Sequence, residues 1–240
     1  MIAIMQPTFL PWVGYFDLID QVKTFIFLDN VQFSKQSWQQ RNRISTERGL
    51  EWITVPVFKG GMSKSISDVK ICCDLIKILN KIEANYKKYP YFELCWPQIN
   101  QPLKKANATD SLSKLNIDLI ESISKILGIE TIFYKSSQMN ISEDRVSRLI
   151  DIIKLHHSGT YLSPVGALEY ISSDFNSFAV EDIEVRFQNY IHPNYSLVGY
   201  PFSRGASIID LIFMHGPNSI EFIRSGRGRP HKIEELLRNE

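Results

Sequence analysis

Lys35, Arg41 and Arg43, interleaved with Asp29, Gln32, Trp38 and Asn42, gather three cations, a carboxylate, an indole and several amides within fifteen positions. The cations suit an anionic group such as a pyrophosphate, which arginine grips with a planar fork. Asp29 follows an apolar run and, at a strand end, would serve as a general base or bind a hydroxyl or amine. Trp38 would stack on a base or sugar face. The same residues also fit a solvated basic loop, and spacing alone does not choose between the two. Upstream, Gln6 to Tyr15 joins a first strand to a first helix, where backbone N–H groups commonly face a ligand phosphate. Gly14 would let a ligand approach the backbone there; equally, Pro7, Pro11 and Gly14 would simply shape a tight connection.

Further along, His192-Pro193-Asn194-Tyr195 sets a histidine after a strand, as a general-base candidate or a structural residue. Ser207, Asp210 and His215 invite a triad, but Asp210 and His215 lie five apart and no G-x-S-x-G elbow exists. His156-His157 reads as a helix end. Arg224, Arg227, Arg229 and Lys232 would form either a phosphate clamp or an exposed mobile tail.

The elements that must hold these residues follow from periodicity. Ile2–Met5 and Phe25–Leu28 are apolar runs of the kind found in strands buried on both faces. Gly14–Val22 is predicted as a helix between them. Residues 52–57 give a third strand and residues 66–72 a fourth, joined by the basic loop Lys59–Ser65. Helices are predicted over residues 74–88, 111–127 (Ser111 as cap, Gly128 as stop) and 142–157 (Ser142 as cap). Tyr89–Leu103, rich in Tyr, Pro and Trp, reads as a connection. Strands at 130–134, 160–162 and 185–187 and helices at 207–213 and 219–223 complete the pattern. Alternating strands and helices argue for an α/β fold with a mainly parallel sheet. The expected organisation is one domain over residues 1–223, elaborated at 59–105, with a charged tail at 224–240.

Composition narrows the classes. A chain of 240 residues, 44% hydrophobic and with a net charge of +1, can bury a large core and has no bulk attraction for nucleic acid. Three cysteines, two of them adjacent and none in a C-x-x-C, fit neither a disulfide framework nor a zinc site, and no other metal site is evident. No apolar run reaches the roughly 18 residues of a membrane span. A cytoplasmic setting is expected.

Two resemblances bear on function. Trp12-Val13-Gly14-Tyr15 stands where the nucleotidyl-transferase superfamily that contains pantothenate synthetase has a His-x-Gly-His tetrad. The glycine matches and both histidines are absent, which weighs against that adenylyl chemistry. More broadly, the chain resembles the WbqC-like family. The resemblance rests on Gln6-Pro7, Pro11 and Gly14-Tyr15-Phe16. It continues through Asp29-x-Val31-Gln32-Phe33-x-Lys35, Trp38, Arg41-Asn42-Arg43 and Val55-Pro56-Val57. Tyr161-Leu162-Ser163 with Gly166 and Tyr170, His192-Pro193-x-Tyr195, Ser207-Ile208-x-Asp210-Leu211 and Gly216-Pro217 complete it.

That resemblance implies a place in O-antigen or other surface-polysaccharide biosynthesis, alongside the Rossmann-like, mainly parallel sheet flanked by helices that the alternating pattern predicts. The reading it favours is a transferase that forms an amide on a nucleotide-linked amino sugar. Lys35, Arg41 and Arg43 would hold the diphosphate, and Trp38 or Tyr15 would stack on the base or sugar. Gln6, Gln32, Asn42 and Tyr195 would line the substrate site, and Gly14 would serve a cofactor. His192 or Asp29 would take the proton of the attacking amine. The donor would be acyl or aminoacyl, with ATP possible as its activator. A glycosyltransferase using a nucleotide sugar and a non-catalytic assembly protein of the same pathway are the alternatives.

Overall fold

The computed structural model describes residues 1–59, 64–197 and 204–237. Its frame is a six-stranded sheet built from β1 (Ile2–Met5), β2 (Thr24–Phe27), β5 (Ile132–Lys135), β6 (Thr160–Ser163), β7 (Glu184–Phe187) and β8 (His231–Lys232), in the order β5-β2-β1-β6-β7-β8. All pairings are parallel except that of β8 with β7. The Rossmann-like α/β expectation therefore holds.

The strands are short and apolar because both faces are covered. Side chains alternate along a strand, so Ala3, Phe25 and Phe27 enter one hydrophobic cluster while Ile2, Ile4 and Ile26 enter the other. The first cluster packs under α1 (Val13–Asp20) and α4 (Leu112–Ile126). The second packs under α5 (Arg145–Leu155) and the short helices α6 (Leu168–Ser173) and α7 (Phe175–Val180). Chain order runs outward from β1 through β2 to β5, then returns to β6 on the other side. The reversal leaves a crevice beyond the carboxyl ends of β1 and β6, the usual ligand position in such sheets.

Between β2 and α4 the chain inserts a hairpin of β3 (Arg41–Thr46) and β4 (Gly49–Thr54), followed by α2 (Ile76–Tyr86) and α3 (Phe92–Lys105). Three local readings are corrected here. Residues 41–43 are strand rather than loop, and β4 pairs with β3 in a separate two-stranded antiparallel sheet, not in the main one. Residues 66–72 form a 3-10 turn and isolated bridges instead of a strand. The stretch read as a connection is α3, which runs through Pro97 and Pro102 because Phe92, Cys95, Trp96, Ile99 and Leu103 recur at helical spacing and are all buried. In the loop Lys59–Ser65, residues 60–63 lie outside the described residues.

Ser111 caps α4 by accepting from the Lys114 N–H, and Gly128, at φ +68°, stands just beyond its end. Asp144, not Ser142, caps α5; Ser142 instead donates to Asp151 at 2.6 Å. At the C-terminal end, α8 (Ile209–His215) and α9 (Ser219–Ser225) precede β8 and α10 (Ile233–Leu237). Residues read as a charged tail thus add an edge strand and a short helix to the sheet.

Candidate functional site

The loop leaving β1 is held in an uncommon shape. Leu10 has φ +44°, a left-handed conformation that costs a leucine roughly 1–3 kcal/mol. Its carbonyl accepts from Asn42 Nδ2 at 2.7 Å and from Ser207 Oγ at 2.8 Å. The same Asn42 amide reaches the Phe9 carbonyl at 3.2 Å, and Asn116 Nδ2 joins the carbonyls of Pro7 and Gln39 at 3.2 and 2.8 Å. The Phe9 N–H donates to the Trp38 carbonyl, and the Ile208 N–H to that of Pro11. Three segments distant in sequence, residues 38–42, Asn116 and residues 207–208, therefore fix one loop.

Beyond that loop opens a cleft whose central part measures about 590 Å³, along the ends of β1, β2, β6 and β7. Met5, Gln6, Thr8 and Trp12 form one side with Trp38 and Gln39; Pro164, Gly166, Tyr170 and Tyr190 form the other. A smaller recess of about 230 Å³ continues it toward Asn42, Arg43 and Gly205, again against Trp12 and Trp38. A third cavity of about 720 Å³ opens from the opposite end and shares Gln6, Leu28, Gly166 and Tyr170 with the central part.

The hairpin supplies the aromatic and cationic face. Its period of two turns Asn42, Ile44 and Ile53 inward and leaves Arg41, Arg43 and Trp52 together on the outer side, with Arg43 opposite Trp52 in register. The Arg41 guanidinium lies 4.0 Å from the Trp52 ring centroid, and that of Arg43 lies 5.6 Å from both Trp52 and Trp38. The two indoles are 5.5 Å apart, and Trp38 stays 47% exposed. Such cation–π contacts orient the guanidiniums while leaving their N–H groups for other acceptors. Among the described residues the buried Nε atoms of Arg41 and Arg43 find no hydrogen-bond partner.

His192 stacks on Trp12 at 6.2 Å and on Tyr195 at 5.9 Å. Its Nδ1 meets the Pro193 carbonyl at 2.8 Å. A carbonyl only accepts, so Nδ1 carries the proton and the neutral ring's lone pair lies on Nε2. Burial lowers its pKa below the usual histidine value, and the charge of Arg204 acts the same way against the Pro193 bond.

Of the residues singled out in the sequence, Gln6, Trp38, Asn42 and Arg43 line the cleft, Arg41 flanks it, and His192 backs its Trp12 rim. Gln32 lines the third cavity beside Gln6, and Lys35 is exposed on the same loop. Other positions need correction. Tyr15 is 1% exposed and donates its hydroxyl to the Gln6 carbonyl at 3.0 Å, so it closes the floor of the cleft and offers no stacking face. Tyr195 is buried behind His192, where burial first and then Asp210 raise its hydroxyl pKa. Gly14 leaves room for the Trp12 ring, not for a ligand: a Cβ there would come within 2.2 Å of the indole. Asp29 is buried away from the cleft. It accepts from the Ser137 N–H at 2.9 Å and the Ser137 hydroxyl at 2.8 Å, with Ser136 and Ser113 at 3.2 and 3.4 Å. A carboxylate so fully engaged ties the end of β2 to β5 and α4, and has no path to a substrate in the cleft.

The histidine of the imagined triad, His215, packs on Phe222. Asp210 lies beneath the hairpin, bonded by Tyr86 and Ser45, and burial raises its pKa to about 6. The C-terminal arginines clamp carboxylates of the protein itself. Arg227 joins the fully buried Asp17 at 2.7 Å, Arg224 makes two 2.9 Å bonds to Asp20, and Arg229 pairs with Glu235. Gln188 Nε2 completes this group at 2.7 Å from Asp17 and 2.8 Å from the Gly14 carbonyl.

Sequence reasoning missed the cleft's second side, Pro164–Tyr170, and Arg145 and Arg148 at the start of α5. The available signal was positional: Pro164 directly follows a strand and precedes a short helix, as Gln6–Trp12 does.

The WbqC-like protein family's model matches residues 6–222. A protein of Mycobacterium tuberculosis (strain ATCC 25618 / H37Rv), named Uncharacterized protein Rv1507c, is 32% identical over 227 residues, which cover 93% of this chain and 97% of that one. No solved structure matches.

Proposed function

This chain belongs to the WbqC-like protein family, and on that premise we propose that it is a transferase of surface-polysaccharide biosynthesis that forms an amide on a nucleotide-linked amino sugar. The observation that carries the reading is the cleft at the strand reversal, where the exposed indoles of Trp12 and Trp38 stand beside the Arg43 guanidinium. An indole face suits a base or sugar ring, and an arginine steered by indoles suits a diphosphate. Arg41 and Lys35 add positive charge on the same side.

The donor carries an activated carboxyl, as an acyl adenylate or a thioester. The sugar amine attacks its carbonyl carbon. A C–N bond forms, the bond to phosphate oxygen or thiol sulfur breaks, and the amine proton leaves with the departing phosphate or thiolate; His192, whose Nε2 is buried behind Trp12, does not reach it. His192 instead braces the Trp12 rim from behind, stacked on that ring and on Tyr195.

Mass spectrometry of the protein incubated with nucleotide-linked amino sugars tests this, one arm holding ATP and amino acids and the other acyl-CoA donors. A mass gain on the intact sugar nucleotide is expected in one arm. Arg43→Ala is expected to raise KM for the sugar nucleotide about tenfold, an effect of roughly 1.4 kcal/mol on binding. Free nucleoside diphosphate with no acylated product would instead indicate sugar transfer.

A further inference from the structure

We infer that the far end of the cleft is a subsite for the zwitterionic head of a free α-amino acid, which makes the donor aminoacyl; this rests on the amide-forming reading above. The cavity there measures about 720 Å³ and joins the central cleft through Gln6, Leu28, Gly166 and Tyr170. It therefore adjoins the place where the sugar amine would lie without overlapping the Trp38–Arg43 recess.

Its charges are mixed. Arg145 and Glu169 both line the cavity. The Arg145 guanidinium is held 4.8 Å above the face of Tyr170, an orienting contact that uses none of its N–H donors. Among the described residues neither Arg145 nor Glu169 makes a side-chain ion pair. Arg148, by contrast, is spent on its own loop, donating to the carbonyls of Ser142 and Glu143. A cation and a carboxylate on one cavity, neither held in a salt bridge among the described residues, match a ligand that carries both charges: its carboxylate on Arg145 and its ammonium on Glu169. Leu28, Val31 and Leu149 give the cavity an apolar side, which suits an aliphatic side chain.

Calorimetric titration of the full chain with free aliphatic amino acids is the test. Saturable binding is expected, weakened about tenfold or more in Arg145→Ala and in Glu169→Gln. The deaminated acid and the decarboxylated amine of the same compound are expected to bind at least about tenfold more weakly than the amino acid. Binding of a nucleotide-linked amino sugar in the two variants is expected to stay within about twofold of the unmodified chain. A protein that binds the sugar nucleotide but no amino acid overturns the subsite. So does equal binding of the deaminated acid, or binding indifferent to Arg145 and Glu169. Loss of the parent reading looks different: amino-acid binding sensitive to both variants, with no binding of any nucleotide sugar, keeps the subsite and removes its partner.

Discussion

The two sides of the cleft are built in opposite ways. On the Gln6–Arg43 side the amides and hydroxyls beneath the rim are committed to the backbone: Asn42, Asn116, Ser207 and Gln39 spend hydrogen bonds on the loop or its neighbours, with the Arg41 and Arg43 guanidiniums above them. On the Pro164–Tyr170 side the chain is a 3-10 turn followed by a six-residue helix, and Arg145 and Glu169 at its edge are in no salt bridge among the described residues. The difference teaches where this fold invests stability. The first side holds a strained backbone and must be clamped; the second carries side chains whose partners are left to arrive from outside. Preorganisation of one side and availability of the other is the division of labour expected of a binding site supported by a rigid scaffold.

The contrast breaks first at Asp17. Arg227→Ala leaves a fully buried carboxylate without its cation and is expected to cost about 3 kcal/mol in urea denaturation. Arg145→Ala on the other side, an exposed change, is expected to stay within about 0.5 kcal/mol in the same measurement. Equal costs would show that the two sides are not differently built.

Asp210 sharpens the comparison through pH. Its folded-state pKa is raised to about 6, above an unfolded value near 3.9, so the native chain holds a proton that the unfolded chain has released between those limits. This contribution is fully present below about pH 4 and lost as pH rises through about 6. Denaturation of the protein and of Asp210→Asn at pH 5 and pH 7.5 is expected to show the stability difference between them shifting by about 1–2 kcal/mol, the natural aspartate faring relatively better at the lower pH. Carboxylates with lowered pKa, such as Asp20, act with the opposite sign, which is why the difference between the two proteins is the quantity to follow.

A smaller effect on stability than at Asp17 or Asp210 is expected at Gly14. A methyl group there must push the far edge of the Trp12 ring, which can swing outward into the cleft. Gly14→Ala should cost less than about 1 kcal/mol yet shift tryptophan fluorescence and weaken nucleotide-sugar binding. An unchanged spectrum would mean that the ring does not rest on Gly14.

Much of the frame was legible because its causes are local. Apolar runs of four at β1 and β2, and amphipathic spacing with a serine cap and a terminal glycine in α4, can be read from neighbouring letters. The hairpin escaped notice because β3 buries Asn42 and Ser45, polar residues whose partners, Leu10 and Asp210, stand 32 and 165 positions away. In α3 the prolines outvoted a correct apolar period. Asp29 looked catalytic for a similar reason: the serines that occupy it lie 84 to 108 residues downstream. Polar residues near a strand end advertise chemistry, but only their distant partners decide whether they are spent on the fold or kept for a ligand. Arg41, Arg43 and Trp38 lie close together in sequence, so their grouping was visible without that knowledge.

The bond between Asp17 and Arg227 joins residues 210 positions apart. During translation α1 emerges early, yet its buried carboxylate meets its cation only after almost all of the described chain has left the ribosome. Until then the helix beneath the cleft has an acidic face in search of a partner, and truncated or stalled chains remain in that state. The arrangement makes α1, which carries the Tyr15 floor of the cleft, depend on a segment that reaches it only after most of the fold has been made.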